Sequence, residues 1–212
     1  MILGLIGGVG SGKSAVTDIL SGEYGYRLLL TDDMAKGLEE PGQPGYERLT
    51  EAFGEQILEA GAGSPICKAA LAALIYADSG AMERVNSLIH PLVWDAVEKE
   101  VRQERLKAKA EGREPRLAVE TALPCERYAA LCDEIWFIYA DPAVRIGRLM
   151  EARGYSLEKC KSRIESQLSD EEFLAYADYS IDNSGSLEES AGRVRELLAP
   201  QKEGSLKEAG GT

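Results

Sequence analysis

Short apolar runs recur along this chain, and between them apolar residues return every three or four positions. The runs "MILGLI" (1–6), "RLLL" (27–30), "RLAVE" (116–120), "EIWFIYA" (134–140) and "DYSIDN" (178–183) predict five strands, the fourth apolar enough to be covered on both faces. The helical spacing predicts helices over "SAVTDIL", over 33–40 up to Pro41-Gly42, and from 46 to about 87 with a break at 61–65. Pro91 should interrupt that region, and the spacing resumes through Leu92, Val93, Ala96, Val97 and Val101. "ERLKAKAEGREP" reads as an exposed helix end and loop, 142–175 as helical, and 187–198 as a last helix. Buried strands alternating with helices predict an α/β fold, a three-layer sandwich around a five-stranded parallel sheet. Residues 1–200 read as one domain. The helix-rich stretch at about 61–100 reads as an insert over a ligand, about 142–170 as another, and 201–212 as a mobile tail. There are no internal repeats.

Composition narrows the function. The 212 residues are 44% apolar, a globular balance, with a formal charge of −12. Such an acidic chain is a poor partner for nucleic acid or an anionic membrane, so any phosphate it binds needs local donors. Cys67, Cys125, Cys132 and Cys160 are scattered without a CxxC pair and read as idle thiols. No apolar run approaches the roughly 20 residues of a membrane helix, and the N-terminus lacks a signal-peptide pattern, which predicts a cytoplasmic protein. Trp94 and Trp136 read as core residues.

"GGVGSGKS", from Gly7 to Ser14, carries the strongest chemistry. It matches the Walker A pattern and lies between a predicted strand and a predicted helix. The backbone from Gly8, Val9, Gly10, Ser11 and Gly12 to Lys13, Ser14 and Ala15 can cradle phosphates against a helix N-terminus. Lys13 reaches the β- and γ-phosphates and the Ser14 hydroxyl can ligate Mg²⁺, so ATP and Mg²⁺ are the expected cofactors. A bare glycine-rich turn is the bland alternative, and a full match in the right context weighs against it. A GTPase switch would need an NKxD-type motif, which is absent. "LLLTD" comes close to the strand-end aspartate of a motor or assembly ATPase, which stays open. A small-molecule kinase needs a phosphate loop, a carboxylate at the acceptor hydroxyl and a cationic lid, and this chain offers all three.

Two carboxylates, Asp32 and Asp33, follow the second strand. Asp32 has three readings: base or orienter for an acceptor hydroxyl, helix cap, or Mg²⁺ positioner. Asp33 falls in the first helical turn, where its charge is favourable. Glu120, ending the third strand, reads as a ligand-orienting carboxylate or one half of a local salt bridge. Arg145 and Arg148 share a helix face, with Arg153 just beyond.

The order "GGVGSGKS", "TDDMAK", "EPGQPGY", "NSLIHP", "AVETAL", "RLMEARGYS", "RIESQLS" and "SIDNSG" resembles the dephospho-coenzyme A kinase family, from Met1 to about Leu198. The resemblance implies a phosphate-loop kinase core with a helical substrate-binding insert and a lid. It implies transfer of the γ-phosphate of ATP to the ribose 3′-hydroxyl of dephospho-CoA, the last step of coenzyme A synthesis. The family places its aspartate three residues before an alanine and four before a basic residue, so Ala35 and Lys36 select Asp32 as the catalytic carboxylate. Lys13 joins it. Arg153 becomes the lid arginine with Arg148 second, and Asn183 falls where related kinases hold adenine. The acceptor side would be Asp32, Lys68, His90 and Glu120. This chain departs from the family at Leu30, at Cys67-Lys68, where an Asp-Arg pair is usual, and at Pro124. The implied partners are dephospho-CoA and ATP, with no nucleic acid or membrane, in a monomer or small homo-oligomer. Two other readings stand beside this one: another small nucleoside or nucleotide kinase, and a non-catalytic nucleotide-binding regulator.

Overall fold

The structure, a computed structural model, describes residues 1–78 and 80–199. The segment read as a mobile tail, 201–212, lies outside the described residues. Five strands, β1 (Ile2–Ile6), β2 (Arg27–Leu30), β3 (Leu117–Thr121), β4 (Glu134–Tyr139) and β5 (Tyr179–Asp182), form one parallel sheet in the order β2-β3-β1-β4-β5. The expected α/β class and strand count hold. Period-two alternation divides the strands between two faces. Ile2, Ile6, Leu117, Val119, Ile135 and Phe137 face one core, and Leu3, Leu5, Ala118, Trp136 and Ile138 face the other.

The second face is covered by α1 (Lys13–Tyr24), through Val16, Ile19 and Leu20, and by a C-terminal helix through Val194. The first face takes α2 (Thr31–Leu38), α3 (Pro44–Phe53), α4 (Lys68–Ala77) and the long α5 (Ala81–Glu111), then α6 (Glu126–Leu131). Beyond β4 come α7 (Pro142–Arg153), α8 (Leu157–Glu165) and α9 (Asp170–Leu174), and α10 (Leu187–Leu198) is the C-terminal helix.

One expectation is corrected. Pro91 does not break its helix: α5 runs through it. Pro91 has no N–H for the Ser87 carbonyl, and the Arg48 guanidinium reaches the neighbouring Leu88 carbonyl at 3.5 Å. What overrides the proline is an unbroken buried stripe on both sides of it, Val85, Ile89, Val93, Val97 and Val101. The stretch 142–175, expected to be helical, holds three helices. Gly154, at φ 61°, ends α7; Ser156 caps α8 and Ser169 closes a capping box on α9.

The register positions the site. Leu5 and Leu30 both pair with Glu120, so the carboxyl ends of β1, β2 and β3 reach one level. The loop after β1, the start of α2 after β2 and the end of β3 therefore meet at the edge where open α/β sheets bind ligands.

Candidate active site

A cleft of about 690 Å³ opens at that edge. The Walker loop floors it, Asp32 and Glu120 stand on one side, and Arg148, Arg153, Tyr155, Arg163 and Gln167 line the α7–α8 side.

The loop is held by side chains that donate to its carbonyls. Gly12 sits at φ 85°, and a Cβ there would lie 2.1 Å from Asn183 Nδ2, so only glycine serves. Asn183 is 3% exposed; its Nδ2 donates to Ser11 O at 2.8 Å and to Gly12 O at 3.3 Å, while its Oδ1 accepts from Ser190 Oγ at 2.6 Å. The residue expected near adenine is thus spent beneath the loop and does not line the cleft. Arg148 acts alongside it. Its Nη1 donates to Ser11 O at 3.3 Å and its Nη2 to Asn183 O at 2.8 Å. Arg145, which shares a helix face with Arg148, is 5% exposed, and its Nε donates to Val9 O at 2.9 Å. Burial pushes its pKa down, and Asp170, 3.8 Å away, pulls it back. Arg145 Nη2 and Ser11 Oγ are buried without a hydrogen-bond partner.

Lys13 folds back over the loop. Its Nζ donates to Gly7 O at 2.7 Å and lies 3.5 Å from Glu120 Oε1. Burial lowers its pKa; Glu120, and then Asp32, oppose the shift. Glu120 therefore forms the local salt bridge, and forms it within the cleft.

The two aspartates separate clearly. Leu30 occupies the N-cap position of α2 without a side-chain cap bond, which removes the cap reading of Asp32. Asp33 pairs with Lys36 at 2.6 Å, both exposed. Asp32 has no hydrogen bond or ion pair among the described residues; it lines the cleft, and its charge reaches Lys13. Ser14, Asp32 and Glu120 present hard oxygen donors to one space. That chemistry fits Mg²⁺, which completes its shell from phosphates and water. Among the described residues, no three His, Cys, Asp or Glu side chains stand together as a metal cage.

Arg153 lines the cleft at the end of α7. A hydrogen bond from Arg153 lowers the pKa of Tyr155, whose ring also carries Lys159 Nζ at 4.1 Å. Lys68 and His90 are not brought to the cleft. Lys68 is exposed at the start of α4, where its charge opposes a burial-driven rise in the pKa of Glu39; His90 is half-buried on α5, which packs against α2. Sequence reasoning gave no site role to Gln167, Arg163 or Tyr155, nor any loop-bracing role to Arg145. Its one signal for two of them was "RIESQLS", which spans Arg163 and Gln167.

A second hollow, about 630 Å³, lies at the opposite end of the strands beside Arg27, Arg113 and Arg116. It holds none of the expected site residues; Arg27 pairs with Glu100 and Arg113 with Glu104.

The dephospho-CoA kinase family model matches residues 1–189. A dephospho-CoA kinase of Carboxydothermus hydrogenoformans is 32% identical over 202 residues, 95% of this chain and 94% of its own. Among solved structures, a Thermus thermophilus protein superposes with a TM-score of 0.74 at 26% identity, over 94% of this chain and 96% of its own. A dephospho-CoA kinase from Campylobacter jejuni shares the fold, with a TM-score of 0.61 at 22% identity over 92% of this chain and 96% of its own.

Proposed function

The chain belongs to the dephospho-CoA kinase family, and on that premise we propose how its own residues carry out the transfer. The enzyme moves the γ-phosphate of ATP to the ribose 3′-hydroxyl of dephospho-CoA, giving coenzyme A. Its Walker-loop N–H groups and the α1 N-terminus hold the inner phosphates. Lys13 leaves Gly7 O for the β,γ-oxygens, where phosphate charge offsets the burial that lowers its pKa.

Asp32 accepts or orients the proton of the 3′-hydroxyl. A ribose hydroxyl is a weak acid, so the carboxylate helps mainly as transfer proceeds. One observation carries this assignment: of the two adjacent aspartates, Asp33 is tied to Lys36, whereas Asp32 is unpaired among the described residues and lines the cleft with the Walker loop. Arg153 supplies the lid charge for the transferring group, and Arg148 stays with the loop backbone. Mg²⁺, held through Ser14 with Asp32 or Glu120, would neutralise charge between the β- and γ-phosphates. Lys68 and His90 we assign to the distal part of the acceptor, along α2 and α5.

Asp32→Asn tests the central assignment. Turnover should fall by about 10²–10⁴-fold with ATP affinity near wild type, while Asp33→Asn changes turnover little. Undiminished turnover in Asp32→Asn would remove the carboxylate from the chemistry.

A further inference from the structure

Gln167 joins the lid side of the cleft to the Walker loop. It follows α8 in a turn fixed by its backbone N–H, which donates to Ile164 O at 3.2 Å. Its Oε1 accepts from Val9 N–H at 2.6 Å, the one loop N–H bonded to a side chain among the described residues. A backbone N–H must meet an acceptor, so this bond fixes which end of the carboxamide faces Val9. The other end, Nε2 with two protons, has no partner among the described residues, and Gln167 lines the cleft.

A second unpaired donor lies beside it. The buried Nη2 of Arg145 has no hydrogen-bond partner among the described residues. A Cβ on Gly8 would stand 2.2 Å from Arg145 Nη2 and 3.2 Å from Gln167 Oε1, so both side chains crowd one point of the loop. Val9 precedes Gly10 in the half of the loop away from the α1 N-terminus, which begins at Lys13. The inner phosphates belong to that helix end. With the inner phosphates there, the outermost phosphoryl group, the one transferred, would lie toward Val9, Arg163 and Ser166, which line the cleft.

We propose that Gln167 binds the transferring phosphoryl group: the Val9 N–H holds its oxygen, and its amide protons are thereby aimed at the γ-phosphoryl oxygens. It adds donors without adding charge, beside arginines that supply the charge. The inference rests on the kinase reading and adds a residue to its site.

The test uses Gln167→Glu, which keeps an acceptor for Val9 but loses the donors, and Gln167→Met, which keeps the bulk and loses both. Affinity for ADP and for a non-hydrolysable ATP analogue is measured by calorimetry on the full chain, with turnover and Tm in parallel. ADP affinity and Tm should stay near wild type in both variants. ATP-analogue affinity should weaken about 10–100-fold, the worth of a hydrogen bond to a charged group, and turnover about 10²-fold. Equal weakening for ADP and the analogue would make Gln167 only a brace for the loop. An unchanged ratio, or tighter analogue binding, would equally overturn the proposal. Binding ratios need no acceptor, so a wild-type enzyme inert toward dephospho-CoA would count against the kinase reading alone.

Discussion

At the scale of single residues, the site is divided between side chains that shape the Walker loop and side chains free to meet a substrate. Arg145 through its Nε, Arg148 and Asn183 belong to the first group, since these donors end on carbonyls of Val9, Ser11 and Gly12. Asp32 and Arg153, the latter bonded among the described residues only to its cleft neighbour Tyr155, belong to the second. The division predicts different failures. Arg153→Ala should lower kcat about 10²-fold or more while nucleotide affinity and Tm change little. Arg148→Ala leaves the Asn183 carbonyl without its donor and takes one of two donors from Ser11 O, and should cost about 1–3 kcal/mol of stability together with nucleotide affinity. Kinetics and thermal melts on the pair decide it; the reverse pattern would exchange their roles. Sequence spacing put Arg145 and Arg148 on one face, but spacing carries no burial, so it could not reveal that this face lies against the loop.

Among the elements, α5 shows most clearly what local sequence signals miss. Pro91 predicted an interruption because a proline removes one helical hydrogen bond and crowds the preceding turn. The apolar stripe from Val85 to Val101 packs as one face, and tertiary burial outweighs that local cost. Pro91→Ala should restore a donor for the Ser87 carbonyl and raise stability by about 1–3 kcal/mol. In a domain of this size that is a Tm increase of several degrees. A lower Tm would show that the ring's own packing holds α5 in place. The sheet was more legible, because each strand is a short apolar run and parallel strands are covered on both faces. The Walker loop was legible for another reason: phosphate binding fixes its glycines, lysine and hydroxyl at set intervals. The α7–α9 region was harder to read, since its helices are divided by the Gly154 terminus and by serine caps inside a charged stretch. Asn183 shows a similar limit: a residue after the last strand can face adenine or the underside of the loop, the pattern of neighbours is the same in both cases, and its side chain takes the second place.

For the whole molecule, the buried groups set a pH limit. Tyr128 is fully buried beneath β1 and β3, donating to Val119 O at 3.0 Å, with Cys132 alongside. Burial pushes the Cys132 thiol up to about 12 and the Tyr128 phenol well above its ordinary 10.0. Well below pH 8 both groups are protonated in the folded and unfolded chain, because their ordinary values are 9.0 and 10.0, and neither affects stability. Above that, the unfolded chain releases protons that the folded chain keeps, so stability falls as pH rises, by up to about 1.4 kcal/mol per pH unit for each group. Lys13 acts in the opposite sense, because its folded pKa is lowered. The useful measurement is therefore the difference between wild type and Tyr128→Phe in Tm from pH 8 to pH 11: the variant should lose stability less steeply, and parallel curves would mean that the phenol ionises freely in the folded chain. The formal charge of −12 bears on the substrates as well. ATP and dephospho-CoA are both polyanions, so binding depends on the few cations around the cleft rather than on the overall field. The most direct test of the account is ADP release from ATP and Mg²⁺ with dephospho-CoA, adenosine, AMP or no acceptor, with the product identified by mass. A dephospho-CoA kinase should give strong release with dephospho-CoA alone and a product with the mass of coenzyme A. Nucleotide binding without release for any acceptor, or faster release with AMP or adenosine, would contradict the account.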